Sequence, residues 1–341
     1  MPDAGYRQVT LGEAQTLAEA ALAAHGASPA HAHSTARSIV AAQAEGNEAV
    51  GFSHLIDYCE ALRAGRVNGL AEPVVERPST VVFRIDACEG FPHLGVDRTW
   101  ADFAHATTAE GIAILCLRNG FTCGALGYFA RRLADDHGLA GLVAANAGPA
   151  VMPAGGGRRK VFCTNPLAFS MPSSYGESVV VDQSSAAGAF VAIRDAAAGG
   201  RAIPEGWALD GRGNPTTDAA EALEGVLLPF GGHRGANIAL VVELLAGGLT
   251  GANWSHRAPA FNAGGASPRV GVTIIAIAPA VTDGPDHGEH TKTLLDFIRA
   301  EEGTHIPGPR KKACAEVAKE QGVAVSLQIL DRVLRLSNRA S

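Results

Sequence analysis

Leu11, Ala14, Leu17, Ala18, Ala21 and Leu22 recur three and four positions apart, the spacing of one buried helix face. Thr10 and Glu13 frame its start as a capping box, in which a hydroxyl and a carboxylate satisfy orphan backbone donors reciprocally, and Gly26 ends it. A second helix is predicted from Ser28, with Pro29 pre-set in its first turn, to about Gly46. A third follows His54 through Tyr58, Ala61 and Leu62 to Gly65. The middle of the chain loses this period. Residues 80–85, 111–116, 138–143, 178–182 and 269–277 predict strands, and most are continuous apolar runs rather than alternating ones, so cover on both faces is expected. Helical stretches intervene at about 123–137 and 236–250, and helices return after Pro309, the last carrying Leu327, Ile329, Leu330, Val333 and Leu334. The order predicts an α/β protein: a central sheet with a helical lobe built from both chain ends. Three parts are expected: helical 1–75, α/β 76–285 for ligand binding, and C-terminal helices in 286–341 packing back on the first lobe. The glycine-rich stretches 196–218 and 253–268 read as excursions within a lobe.

Composition narrows the function classes. With 28 basic against 34 acidic residues the net charge is −6, which argues against a nucleic-acid partner. The six cysteines are scattered without a C-x-x-C pair, as expected of reduced, mostly buried thiols. Met1–Tyr6 has neither a basic start nor an apolar stretch, and no apolar run is long enough to span a membrane. A cytoplasmic enzyme is the expectation.

No G-x-G-x-x-G, phosphate loop or G-x-S-x-G is present, so the common nucleotide and hydrolase signatures are missing. Several segments in order nevertheless resemble one family. Gly51-Phe52-Ser53-His54 precedes a helix; Pro153-Ala154-Gly155-Gly156 is followed by Thr164-Asn165-Pro166; Asp182-Gln183-Ser184-Ser185 closes a strand; Ile203-Pro204-Glu205-Gly206-Trp207 and Pro229-Phe230-Gly231-Gly232-His233-Arg234-Gly235 follow; Pro307-Gly308 comes near the end. The chain resembles the malate/L-lactate dehydrogenase-like family, which includes ureidoglycolate and 2,3-diketogulonate enzymes and cyclic ketimine (piperideine- and pyrroline-2-carboxylate) reductases. The resemblance implies a non-Rossmann fold binding NAD or NADP, commonly a homodimer, that moves hydride between nicotinamide and a 2-oxo acid, 2-hydroxy acid or cyclic imino acid. It implies His54 as proton donor with Ser53 beside it, and Asn146, Thr164, Asn165, Asp182, Gln183, Ser184, Ser185, His233, Arg234, Pro307 and Gly308 on the cofactor side. Singly, Asp-Gln-Ser-Ser and Gly-Gly-His-Arg are also good turn sequences with no ligand needed.

Three departures stand out. Where many members carry an Arg after the Ser-His, this chain runs Ser53-His54-Leu55-Ile56-Asp57-Tyr58, about four residues shorter. Thr122 occupies the place of a family His, and a Thr hydroxyl hydrogen-bonds but is no base near neutral pH. An acidic relay residue of some members falls at about Ala192, with Asp195 the nearest acid. These losses point to a bulkier or less charged substrate, or to a diverged cofactor-binding protein with little or no turnover. His31 with His33, and His287 with His290, lack a carboxylate or thiol to complete a metal set and read as surface residues; His105 and His137 sit in helical runs and read as structural. No metal is expected.

Overall fold

The two ends of the chain meet as strands Tyr6–Val9 and Val323–Ser326, paired antiparallel. The computed structural model describes residues 5–174 and 178–338; Met1–Ala4, part of the N-terminal reading, lie outside the described residues. Helix Leu11–Ala23 carries the expected box: Thr10 Oγ1 accepts the Glu13 N–H at 3.2 Å and Glu13 Oε2 accepts the Thr10 N–H at 2.9 Å. Ser28 caps helix Pro29–Ala44 through the His31 N–H. Helix Leu327–Ser337 packs on Leu11–Ala23 and on Phe52–Arg63, so Ala14, Ala18, Leu22, Leu55, Leu62, Leu330 and Val333 share one core. That core is the helical lobe made from both chain ends. Helix Pro309–Gln321 joins it against Pro29–Ala44. Helix His287–Arg299 does not. Its Leu294, Leu295 and Phe297 line a groove with Phe169, Met171 and Val179 at the sheet edge, which corrects the expectation that everything from 286 returns to the first lobe.

The central sheet has seven strands in the order Val74–Ser79, Val82–Asp86, Ile112–Gly120, Val270–Ile277, Ala140–Ala145, Leu167–Met171, Val179–Gln183. Val82–Asp86 and Ile112–Gly120 run parallel, joined by helix Pro92–Glu110; the other neighbours are antiparallel. Val270–Ile277 is central and covered on both faces: Val272, Ile274 and Ala276 enter the core with Phe103 and Phe129, while the Thr273 hydroxyl donates to the Leu245 carbonyl behind. Ile112–Gly120 is different. Ala113, Leu115 and Leu117 are buried, but on the other face Ile112 is 50% exposed and Ile114 and Cys116 are half-buried, so that face is only partly covered.

A third core gathers Val151, Met152, Phe162, Ile193, Ile203, Ala208 and Leu227 around short strands and helices Phe190–Ala198 and Ala219–Glu224. Among the described residues no helix is long and apolar enough to cross a membrane. All six cysteines are free: Cys59, Cys123 and Cys163 are buried, Cys88 and Cys116 half-buried, and Cys314 exposed.

Candidate active site

The three cores meet around a cavity of about 220 Å³. Val50, His54 and Phe261 line it from the helical lobe; Thr122, Cys123 and Ala145 from the sheet; Val151, Cys163 and Phe190 from the third core. Ligand sites concentrate at such junctions. The volume is below the ~300–1,000 Å³ of sites that enclose a drug-sized ligand, and suits one ring and a small substrate.

His54 reaches the wall because its helix begins two residues before it. Gly51 is the N-cap, and a Cβ there would fall 2.3 Å from Gln43 Oε1. That oxygen accepts the Phe52 N–H at 3.1 Å, while Gln43 Nε2 donates to the Ala324 carbonyl at 3.0 Å. Gln43 thus ties the start of the His54 helix to the C-terminal strand. Ser53 is not the cap, and it does not line the cavity. His54 is buried, and its ring meets Tyr58 edge-on with centroids 4.4 Å apart. Tyr58 donates its hydroxyl to the Thr122 carbonyl at 3.0 Å, and the buried Thr122 Oγ1 has no hydrogen-bond partner.

No carboxylate, lysine or arginine is among the described lining residues. Burial pushes the Cys123 thiol up to about 12 and Cys163 to about 11, so neither supplies a thiolate. His54 is left as the lining group suited to proton exchange near neutral pH.

The other expected residues divide into three groups. Asn146, Thr164 and Ser184 line the cavity with His54 and Thr122. Asn165 and Ser185 are buried behind it. Asn165 Nδ2 donates to Glu243 Oε2 at 2.7 Å and Ser185 Oγ to the Asn165 carbonyl at 2.7 Å. Asn146 is itself held, its Nδ2 donating to the Asn253 carbonyl at 2.8 Å and its Oδ1 accepting the Gly271 N–H at 3.0 Å. The centre of this frame, Glu243, was not expected: it also accepts the Ser255 N–H at 2.6 Å and the Ser255 hydroxyl at 2.7 Å.

The third group does not line the cavity. Asp182 Oδ2 accepts the Gly127 N–H at 2.9 Å, at the positive end of helix Gly127–His137. Burial raises its pKa, against the opposing pull of the Gly127 N–H and Lys311. Gln183 is exposed at the strand end. Pro307 and Gly308 run along the edge strand, with Val180 N–H donating to the Pro307 carbonyl at 3.0 Å. A Cβ on Gly308 would lie 2.7 Å from Val180 N, so this glycine is required by close approach.

His233 and Arg234 are exposed in the first turn of helix His233–Glu243, outside the cavity lining. Their turn is nevertheless bound to the Ser184-Ser185 turn: Phe230 N–H donates to the Ser185 carbonyl at 3.0 Å and Ala187 N–H to the Leu228 carbonyl at 2.8 Å. His31, expected at the surface, is fully buried with Nε2 2.9 Å from the Ala71 carbonyl; His33 is exposed and pairs with Glu19. No group of three or more potential metal ligands occurs among the described residues.

The sequence profile described as malate/L-lactate dehydrogenase matches residues 9–334. The chain belongs to the malate/L-lactate dehydrogenase family. It is 34% identical over 303 residues to a Δ1-pyrroline-2-carboxylate/Δ1-piperideine-2-carboxylate reductase of Pseudomonas putida, covering 88% of each chain. It is 35% identical over 323 residues to an NADP(+)-linked (2R)-3-sulfolactate dehydrogenase of Chromohalobacter salexigens, covering 94% of this chain and 95% of that one. Its fold matches the crystal structure of Δ1-piperideine-2-carboxylate reductase from Pseudomonas syringae pv. tomato with a TM-score of 0.91 and 31% identity, over 97% of this chain and 99% of that one. The protein is an NAD(P)-dependent oxidoreductase of this family.

Proposed function

We propose that this oxidoreductase reduces the C=N bond of a cyclic 2-imino acid at the His54 cavity, with His54 as proton donor. The observation that carries this reading is the charge of the cavity wall: among the described lining residues there is no fixed cation. Malate, oxaloacetate and sulfolactate are dianions, and burying two negative charges unpaired costs several kcal/mol. A cyclic 2-imino acid brings one carboxylate and, once its ring nitrogen is protonated, its own compensating charge. Phe190, Phe261, Val50 and Val151 suit its apolar ring.

The residues present fit a nicotinamide dinucleotide. Helix His233–Glu243 starts at Gly232 with no side-chain cap, so its first N–H groups are open to a phosphate, beside exposed Gly155–Gly157 and Arg234. Thr122 Oγ1 is a buried hydroxyl without a partner at the cavity. Bound there, NADH or NADPH supplies the hydride. The protein's own part is narrower. His54 holds a proton for the substrate nitrogen, Thr122 offers a hydrogen bond, Thr164 and Ser184 shape the floor, and the aromatic walls exclude water. Asn165, Ser185 and Glu243 keep that floor rigid from behind. A homodimer in the reducing cytoplasm suits the family and the free cysteines; sedimentation equilibrium tests the dimer.

The test is oxidation of NADH and NADPH with Δ1-piperideine-2-carboxylate, Δ1-pyrroline-2-carboxylate, pyruvate, oxaloacetate and sulfopyruvate. The cyclic imines should exceed the dianions in kcat/KM by about 100-fold. A preference for oxaloacetate or sulfopyruvate would overturn the reading. Dinucleotide binding without turnover on the whole panel would leave a cofactor-binding protein instead.

A further inference from the structure

Asp57 follows His54 by three residues on helix Phe52–Arg63, so both side chains leave one face of it. Asp57 Oδ2 lies 3.5 Å from His54 Nδ1, and Nδ1 is buried without another partner. The contact is longer than a made hydrogen bond, and catalytic contacts of this kind often tighten when ligand binds. Arg194 approaches the same Asp57 oxygen at 3.7 Å. It sits one turn after Phe190 on helix Phe190–Ala198, and Phe190 lines the cavity. A carboxylate behind the imidazole is therefore held between two lobes by a cation that stands behind the opposite wall, outside the lining.

We propose that Asp57 is the positioning residue for His54, accepting from Nδ1–H so that Nε2 carries the transferable proton, and that Arg194 fixes Asp57 in place. The inference rests on the reading of His54 as proton donor. The step balances simply. Nε2–H of the imidazolium gives its proton to the neutral imine nitrogen as the substrate seats, which makes the iminium; hydride from a reduced dinucleotide would then add to the ring carbon as the C=N bond becomes C–N, and the neutral imidazole keeps its remaining proton on Nδ1 toward Asp57. No acid from the segment around Ala192 is needed.

Other groups face the pair. Tyr58 stands on the same helix, its phenol pushed up by burial; Cys123 comes from the sheet side; Arg332, bound to Glu60 at 2.5 Å, adds positive charge from the C-terminal helix; Asp195 competes for Arg194 at 3.7 Å. Burial alone would raise the pKa of Asp57, but His54, Arg194 and Arg332 together hold it below the usual carboxylate value. Asp57 thus stays charged where His54 must gain and lose a proton. An ion pair fully in water would have little such effect, but these side chains are 9% and 20% exposed.

Asp57→Asn is nearly isosteric and removes the charge. The single-turnover rate of cofactor oxidation should fall about 10- to 100-fold, the usual cost of losing a group that orients a histidine. Substrate KM and dinucleotide Kd should change little. Nitrogen NMR of the His54 ring gives a readout independent of turnover. Nδ1–H should dominate in the native protein and give way to mixed tautomers in the variant, and Asp57→Glu should restore part of both rate and tautomer. Should Asp57→Asn fail to fold, Arg194→Gln carries the test, with a smaller change in the same direction. An unchanged rate and unchanged ring signals in a variant of an active enzyme would overturn the role of Asp57 and leave the reductase reading standing. If the native protein reduces none of the substrates, that reading fails separately, and an unchanged His54 tautomer in Asp57→Asn would then also overturn the pairing.

Discussion

Phe230 donates its backbone N–H to the carbonyl of Ser185 at 3.0 Å, joining the turn after the edge strand to the turn that opens helix His233–Glu243. One wall is made from two distant stretches of chain. The next turn depends on Gly235, where a Cβ would fall 2.0 Å from the Phe230 carbonyl oxygen. Gly235→Ala should force the two turns apart. The expected cost is about 1–3 kcal/mol of stability together with weaker dinucleotide binding, read by denaturant unfolding and fluorescence titration. Unchanged cofactor affinity would remove this corner from the binding site.

Thr122 gives an opposite kind of prediction. Its buried hydroxyl has no protein partner, so an apolar isostere removes a cost in the free protein and a contact in the complex. Thr122→Val should leave the unfolding midpoint equal or slightly higher. Substrate or cofactor affinity should fall about fivefold, the value of one ordinary hydrogen bond of about 1 kcal/mol. A loss of stability without a change in affinity would make the hydroxyl structural.

Four donor contacts converge on Glu243, from Asn146, Asn165 and the N–H and hydroxyl of Ser255. Glu243→Ala strands these donors in a buried site and should cost about 3 kcal/mol or more. Glu243→Gln keeps the shape and some acceptors and should cost less. Urea unfolding of both variants checks the order, and equal losses would contradict it.

Acid stability should be limited by His93, which is buried with Nε2 3.1 Å from the Cys123 carbonyl. Burial pushes its pKa down to about 4, although Asp97 and that carbonyl pull the other way. The unfolded chain takes up this proton near pH 6.5 and the native one does not, so stability is lost as pH falls from about 6.5 toward about 4. The difference is worth roughly 3 kcal/mol at the acid end. His93→Gln should flatten that slope between pH 7 and 4.5, measured by thermal unfolding; an unchanged slope would assign acid lability elsewhere.

Local rules carried the outer helices. The capping box at Thr10 and the Ser28-Pro29 start announce themselves because neighbours in sequence satisfy each other's backbone groups. Helix Pro92–Glu110 shows in the sequence only as a helical run at His105, without bounds, for the opposite reason: its buried face mixes Gly95, Thr99 and Thr107 with Val96, Trp100 and Phe103, which blurs the helical period. The threonine hydroxyls bond back to the Gly95, Val96 and Phe103 carbonyls within the helix, and Gly95 lies against Ile85, a close approach that only tertiary packing supplies. The candidate site was legible where motif residues line the cavity, as with His54, Thr122, Asn146, Thr164 and Ser184. It was not legible where long-range pairing decides the role. Glu243 and Arg194 carry no local signal, and Pro307-Gly308 has turn chemistry that the structure uses against an edge strand.

The most direct test is the single-turnover rate at which bound NADH or NADPH is oxidised by Δ1-piperideine-2-carboxylate, compared between the native protein and His54→Ala. The rate should fall about 10²- to 10⁴-fold in the variant while dinucleotide affinity holds, as expected when a general acid is removed. An equal rate in both proteins would contradict the assignment of His54 and of the cavity around it.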